Sequence, residues 1–193
     1  MKFTQIPAST FEELQLNAGV LLSEFDPSTG AMDRANILGA TTGGVSFTDA
    51  PSYTDFGEDI DNCPRNTKEL KRVDTREITM SGTYVTVNTA IAKSLVAAAD
   101  IDSGDTTKIT PRDILKDSDF EDIWWVGDYS NVNTGENAGF IAIKLVNALS
   151  TGGFSLTSGN RAKGQFGFTY TAHYSMEDPD TVPYEMYVKQ GEE

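Results

Sequence analysis

Few residues of this chain are suited to catalysis, because it contains one histidine, His173, and one cysteine, Cys63. A hydrolase triad would depend on His173 alone, and the sequence has neither a Gly-x-Ser-x-Gly nucleophile turn nor a glycine-rich phosphate loop. His173 lies on the polar side of a strand pattern, which favours a solvated or interface side chain. Cys63 has no histidine near it in sequence and is interpreted as an incidental, packed thiol. We therefore expect a protein that is not an enzyme and uses no cofactor.

Alternating carboxylates at residues 100–105 raise the question of a metal site. Asp100, Asp102 and Asp105 resemble the start of a calcium-binding loop. However, Gly104 comes one position too early, and Pro111 stands where an EF-hand has its closing acid. The pattern favours a surface turn that follows a helix, and no metal is predicted.

A second group of acids lies in residues 49–66, a segment without periodicity that contains Pro51 and Pro64. Irregular segments of this length are usually functional or ordered by a partner. The charge reverses immediately after it, so the two segments are expected to pair within one subunit or between copies. The residues predicted to form this subunit interface are Asp55, Glu58, Asp59, Asp61, Lys68, Lys71 and Arg72.

Charge and composition restrict the class of partner. The 193 residues suit one domain, and 29 Asp and Glu against 15 Lys and Arg give a net charge of −14. Such a surface repels nucleic acid phosphates, so tight DNA binding is not expected, whereas the passage of DNA without binding is compatible. A single cysteine cannot form an intrachain disulfide. No segment approaches the roughly 20 apolar residues of a membrane helix, so we expect synthesis in a cytoplasm and no membrane partner.

The clearest structural pattern is an alternation near the C-terminus. Phe166, Phe168, Tyr170, Ala172 and Tyr174 alternate with small or polar residues. This period of two predicts a long antiparallel strand with an aromatic row on one face. The rest of the chain offers only modest cover for that row. We therefore expect other copies of the chain to complete or extend this sheet.

Other patterns predict a sheet-rich domain with one clear helix. Asn88 is a candidate N-cap for a helix over residues 89–99, and Thr110-Pro111 is a second helix start or a turn.

Trp124 and Trp125 are neighbours in a strand, so they point to opposite faces and both faces need cover. The C-terminal segment is interpreted as an edge strand or as an arm that adds to a neighbouring sheet. Further strands are predicted over residues 14–25, 37–48, 76–87, 122–129, 140–146 and 154–157.

The order of these features resembles the major tail tube protein of long-tailed bacteriophages. The resemblance spans most of residues 14–174. It is carried by the Gly-rich strand 38–47, the long acidic loop, the segment 66–72 that leads into Ser81-Gly82-Thr83, the helix, and the glycine-turn hairpin that ends at 164–168.

The resemblance implies a mainly β fold, namely a β-sandwich or half-barrel with one flanking α-helix, formed by residues 1–193 as a single domain. It implies rings of about six copies that stack into a hollow tube. The parts that match the family's inter-subunit contacts are the loop 49–72, an N-terminal arm 1–10 and a C-terminal arm 176–193.

The function that the resemblance implies is structural: a virion protein, made in the host bacterial cytoplasm, that self-assembles into the phage tail tube and conducts DNA during ejection. Its partners would be other copies, other phage tail proteins and double-stranded DNA in transient, non-specific passage. Small polar rows such as Gln165, Thr169 and Thr171 suit a wall that must not hold DNA. Alternatives are another virion or secretion-tube component, such as a tail terminator or decoration protein, and a carbohydrate-binding or adhesin β-sandwich.

Overall fold

A computed structural model describes Phe3 and residues 5–192 of the chain. This part of the protein is mainly antiparallel β with one α-helix, α1 (Thr89–Val96), in agreement with the predicted fold class. Its strands are β1 (Gln15–Leu22), β2 (Thr41–Asp55), β3 (Lys71–Tyr84), β4 (Ala99–Ile101), β5 (Ile109–Pro111), β6 (Glu121–Tyr129), β7 (Phe140–Ser150), β8 (Ser155–Thr157), β9 (Gln165–Thr171) and β10 (Tyr184–Lys189).

Eight of the ten strands in the described residues form two layers that share β7, and β4 and β5 form a separate two-stranded sheet. In the first layer, sheet A, the order is β1-β6-β7-β10, and in the second, sheet B, it is β2-β3-β9-β8. The first part of β7 pairs with β6 and β10, whereas its end, Leu149 and Ser150, pairs with β9. Asn147, two residues before this change of partner, adopts a left-handed conformation (φ 50°). The shared strand makes the architecture that of a β-sandwich or half-barrel.

The aromatic row of β9 is buried inside the chain itself. Phe168 and Tyr170 are 3% and 2% exposed, and they contact Ile78, Met80 and Leu145 in the core between the sheets. The alternation predicted the strand and its apolar face correctly for residues 165–171, but β9 ends at Thr171, and Tyr174, the last residue of the predicted row, lies beyond it and is 44% exposed. The premise that the rest of the chain offers only modest cover is wrong, because sheet A and α1 cover Phe168 and Tyr170. Extension of the sheet by other copies stays a prediction.

The two tryptophans of β6 point to opposite faces, as their adjacency predicted. Trp125 faces the core between the sheets, and its indole N–H donates to the carbonyl of Ala18 at 3.0 Å. Trp124 faces outward, yet it is only 7% exposed because the loop 23–36 folds over sheet A. Phe25 of this loop makes an edge contact with Trp124 at 5.7 Å between ring centroids, and Tyr187 of β10 stacks at 5.9 Å. The outer face of sheet A is thus closed by the chain itself.

Helix α1 begins as the sequence predicted. The side chain of Asn88 accepts a hydrogen bond from the amide of Ile91 at 2.8 Å, and Ile91 and Leu95 are buried against the core. The helix ends at Val96, because Ala97 takes a positive φ of 66° and redirects the chain into β4. The second predicted helix start is wrong: Thr110 and Pro111 belong to strand β5, which pairs with β4.

The segment after β5 is held by a buried ion pair. Arg112 donates to the carboxylate of Asp119 at 2.6 Å, and the Asp119 side chain is fully inaccessible to solvent. Asp119 also accepts a hydrogen bond from the amide of Lys116 at 2.8 Å. Burial by itself raises the pKa of Asp119, but the hydrogen bonds from Arg112 and Lys116 outweigh it, so the pKa of Asp119 is lowered.

This lowered pKa predicts a loss of stability in acid. A carboxyl group with a depressed pKa in the folded state stabilises the protein above its unfolded pKa of about 4, and this contribution disappears as the pH falls through the folded value. Urea unfolding of the wild type and of Asp119→Asn between pH 7 and pH 3 should show the wild type more stable at pH 7, with the difference shrinking toward pH 3. A difference that stays constant with pH would contradict this role of Asp119.

The N-terminal and C-terminal segments approach each other, since the Gln190 side chain donates to the carbonyl of Glu12 at 3.3 Å. The predicted N-terminal arm includes Met1, Lys2 and Thr4, which lie outside the described residues, and it leads into a 3-10 turn at Thr10–Glu12. At the other end, β10 pairs with β7 of the same chain, and the Glu192 amide donates to the Asn137 carbonyl at 3.1 Å. Of the two interpretations of the C-terminal segment, the edge strand is confirmed for residues 184–189. Contacts between the C-terminal segment 176–193 and a neighbouring subunit stay a prediction. No helix in the described part of the chain is long and apolar enough to cross a membrane.

Candidate functional site

The β2–β3 hairpin extends beyond the part of the chain that packs in the core. The strands pair from Thr41 opposite Tyr84 to Asp55 opposite Lys71, with the register shifting between Thr42 and Val45 and between Pro51 and Tyr53, and residues 56–70 form the tip. The prediction that residues 49–66 lack regular structure is therefore wrong for residues 49–55. Pro51 is tolerated because β2 is an edge strand, where a missing N–H costs no ladder hydrogen bond. Asp49 is tolerated because Arg76, its cross-strand neighbour, pairs with it.

The proximal half of the hairpin, residues 41–49 and 76–84, packs on the core, whereas the distal half, residues 50–75, does not. At their boundary the Asp49 carboxylate pairs with Arg76 and accepts a hydrogen bond from the Tyr184 hydroxyl at 3.1 Å. Beyond it, every recorded hydrogen bond of residues 50–75 stays within the hairpin. Of these residues only Gly57 is buried. The distal half therefore projects from the sandwich as a two-stranded ribbon.

Four large apolar side chains of this ribbon are exposed to solvent. Tyr53 and Val73 lie directly opposite each other in the ladder, and they are 55% and 47% exposed. Phe56 and Ile60, in the tip, are 63% and 52% exposed. A two-stranded ribbon has no second layer in which to bury such residues, and isolated hairpins are at best marginally stable in water. We call Tyr53, Phe56, Ile60 and Val73 the hairpin patch.

The tip itself is compact and specifically ordered. Asp55 caps it, because its carboxylate accepts hydrogen bonds from the amides of Gly57 at 2.9 Å and Asn66 at 2.8 Å. These bonds lower the pKa of Asp55, so the carboxylate stays ionised in mild acid. Cys63 lies inside the tip, with its sulfur 3.5 Å from the Thr67 hydroxyl and in the space beside Gly57. The tip of the hairpin is therefore ordered by its own hydrogen bonds, although it lies in solvent.

The residues predicted at a charged interface all lie on this tip or at its base. Asp55 and Lys71 are opposite each other, and Arg72 donates to the carbonyl oxygens of Glu69 and Lys71 at 2.9 and 3.0 Å. Lys68 approaches Glu69 at 3.8 Å on the surface, an exposed contact of little energetic weight. In the described part of the chain, none of the recorded salt bridges joins the four predicted acids to the three predicted bases. Pairing between copies stays a prediction.

The residues considered for catalysis or metal binding make hydrogen bonds and ring contacts with neighbouring parts of the fold. His173 is half-buried, with its Nδ1 3.2 Å from the carbonyl oxygen of Asn147 and its ring against the edge of Phe120. The candidate calcium loop is the turn between β4 and β5, as the surface-turn interpretation predicted. Asp102 accepts from the Gly104 amide there at 2.9 Å. Across the described residues, no three His, Cys, Asp or Glu side chains are grouped closely enough to hold a metal ion.

The sequence reasoning missed the hairpin patch. A signal was present, because Val45, Phe47 and Tyr53 fall on alternate positions of one strand, with Asp49 and Pro51 in between. Considered locally, these two residues indicate the beginning of a loop, so the strand pattern is not evident beyond Phe47. No protein-family model matches this chain, and a search of curated proteins finds no match either.

Proposed function

We propose that this protein is a structural subunit that self-assembles into stacked rings and forms the tail tube of a bacteriophage, a conduit for DNA. The observation that carries the proposal is the projecting β2–β3 hairpin, whose apolar patch a single chain cannot cover. Burial of an exposed aromatic or branched side chain stabilises by about 1.5–3 kcal/mol. Four such side chains on one ribbon therefore favour association with another subunit.

The edges of both sheets support the same proposal. In the described residues, β2 pairs only with β3 and β10 only with β7, and β1 pairs with β6 apart from one bridge, between Leu22 and Ile37. Each of these edge strands therefore leaves one row of backbone groups without a strand partner. Such edges can pair with the edges of other copies and extend the sheets laterally. Lateral pairing would build a ring, and the hairpin would then join one ring to the next. Contacts from one ring to the next do not close on themselves, so they propagate into a filament.

The charge of the chain is compatible with a DNA conduit. A net charge of −14 opposes adhesion of the DNA backbone, since affinity for DNA depends on cations that neutralise phosphates. The protein in this role performs no catalysis and needs no cofactor. Its location would be the virion tail, and its partners would be copies of itself and other tail proteins.

Negative-stain electron microscopy of the purified protein tests the proposal. We expect tubes with a central channel, formed from rings at regular axial spacing. Protein that stays monomeric at all concentrations and salt conditions would refute self-assembly. Single rings that never stack would instead favour a tail terminator or a related ring component.

The predicted charge pairing between copies has a separate test. Sedimentation in low and high salt should show weaker association in high salt if Asp55, Glu58, Asp59 and Asp61 contact basic residues of a neighbouring subunit, because salt screens exposed charges. Oligomers that do not respond to salt would contradict this pairing, although they would leave assembly through the hairpin patch unaffected.

A further inference from the structure

The outer face of sheet B has an unusual composition for so acidic a protein. Strand register aligns its side chains in three rows across β2, β3 and β9, and all but one of them carry a hydroxyl. The rows are Thr48–Thr79–Thr171, Ser46–Ser81–Thr169 and Thr42–Thr83–Gly167. We call these nine residues the hydroxyl face. It contains no charged residue, although the chain carries 29 acids and 15 Lys and Arg.

The opposite side of the same strands is the core, so the hydroxyl face can only point away from the molecule. Met80 pairs with Tyr170, and Gly82 pairs with Phe168, and these alternate positions contact the sandwich interior. The hydroxyls of β2 are exposed, and those of β3 and β9 are half-buried among their neighbours on the sheet. In contrast, the outer face of sheet A is closed by Phe25 and its loop. Sheet B therefore presents the broad open sheet face of the subunit.

We propose that the hydroxyl face lines the bore of the tube and is the surface that passing double-stranded DNA meets. This inference rests on the proposed function and adds to it the identity of the DNA-facing surface. In a large barrel, one face of each strand points to the channel and the other points outward. DNA is held chiefly by Lys and Arg contacts to phosphate. A face of short uncharged hydroxyls has none, and because its side chains are short, it leaves the bore smooth.

The hydroxyl face neither attracts nor strongly repels phosphate. Repulsion would come from acids around it, such as Glu77, the next residue of β3 on the same side. Ser and Thr hydroxyls donate single hydrogen bonds to phosphate oxygens, and without a cation beside them these contacts exchange readily with water.

Cysteine accessibility in assembled tubes tests this assignment. Ser81→Cys places a thiol in the centre of the hydroxyl face, and Ala31→Cys places one on the exposed loop that covers sheet A, as the matched control. Each variant is treated with a small maleimide and with a maleimide coupled to a folded protein too wide to enter the channel. Peptide mass spectrometry reads position 81 or 31 separately from Cys63. Both reagents should label both variants before assembly.

In tubes, labelling of Ser81→Cys by the wide reagent should fall about tenfold or more while labelling by the small reagent persists, because a channel excludes objects wider than its bore. Ala31→Cys should remain reactive to both reagents. Labelling of Ser81→Cys by the wide reagent in tubes would place the face outside and overturn the inference. Loss of labelling by both reagents would mean that another copy buries the face, which also overturns it.

The failure of the inference and the failure of the proposed function can be told apart. If the wild-type chain forms no tubes, the proposed function fails. If the wild type assembles but Ser81→Cys does not, Thr169→Cys in the neighbouring strand provides a second position on the same face. Failure of both variants to assemble, beside an assembling Ala31→Cys, would make the hydroxyl face a subunit contact and refute its role as the wall of the bore.

Discussion

A chain in which Asn-Gly replaces residues 52–75 should fold normally and form no tubes. The replacement connects Pro51 to Arg76 through a two-residue turn, and these residues are already opposite each other in the ladder. Asn-Gly is the preferred two-residue connection of antiparallel strands. The ion pair between Asp49 and Arg76 and all core residues are kept. Since the recorded hydrogen bonds of the removed segment stay within it, the free energy of unfolding should change by no more than about 0.5 kcal/mol.

Chemical denaturation and electron microscopy together check this expectation. Denaturation gives the stability of the monomer, and microscopy gives the extent of assembly. A second variant that keeps the hairpin at full length but changes the hairpin patch to Tyr53→Ser, Phe56→Ser, Ile60→Ser and Val73→Thr should assemble equally poorly. It separates loss of apolar contact from loss of length. Tubes of normal appearance from the shortened chain would show that the hairpin is dispensable for assembly and would remove the main support for the proposed function.

Trp124→Ala should strongly destabilise the monomer. Trp124 is 7% exposed and lies between Phe25 of the covering loop, Tyr187 of β10 and the ammonium of Lys144, which is 5.7 Å from the ring centroid. Truncation of a buried tryptophan typically costs about 3–5 kcal/mol, because the apolar area is lost and a cavity remains. The loop 23–36 also loses one of the two aromatic contacts that Phe25 makes with sheet A. Thermal or urea unfolding at neutral pH measures the effect.

The matched control for this substitution is Tyr53→Ala, which removes an aromatic ring that is 55% exposed on the hairpin. It should change monomer stability by no more than about 0.5 kcal/mol but weaken assembly. Equal destabilisation by the two substitutions would contradict the division of the chain into a closed core and a projecting hairpin.

The burial of Trp124 also affects the carbohydrate-binding alternative. That alternative depended on paired tryptophans that could stack on sugars, and such a platform needs exposed rings. Here Trp124 lies under the covering loop, and Trp125 faces the core. A glycan array with the wild-type chain remains the direct test of sugar binding, and saturable binding would favour an adhesin. Trp124→Ala is unsuitable as a control for it, because loss of binding would follow from unfolding.

The sequence by itself determined the local features whose signals span a few residues. Alternation with period two identified the aromatic strand around Tyr170, the adjacency of Trp124 and Trp125 determined their opposite orientations, and Asn88 marked the start of the helix. Each of these depends on backbone geometry that neighbouring residues set together. The sequence could also identify the chain as sheet-rich and acidic, with few residues suited to catalysis.

Only the tertiary structure decided what covers each face. Whether the aromatic row of β9 needed another copy depended on sheet A, whose strands come from distant parts of the chain. Likewise, Asp49 and Pro51 indicated a loop when considered locally, yet a cross-strand arginine and an edge position accommodate them in a long hairpin. The hydroxyl face emerged only when the register aligned three separate strands. Cover, charge pairing and register are contacts between residues far apart in sequence, so local periodicity cannot determine them.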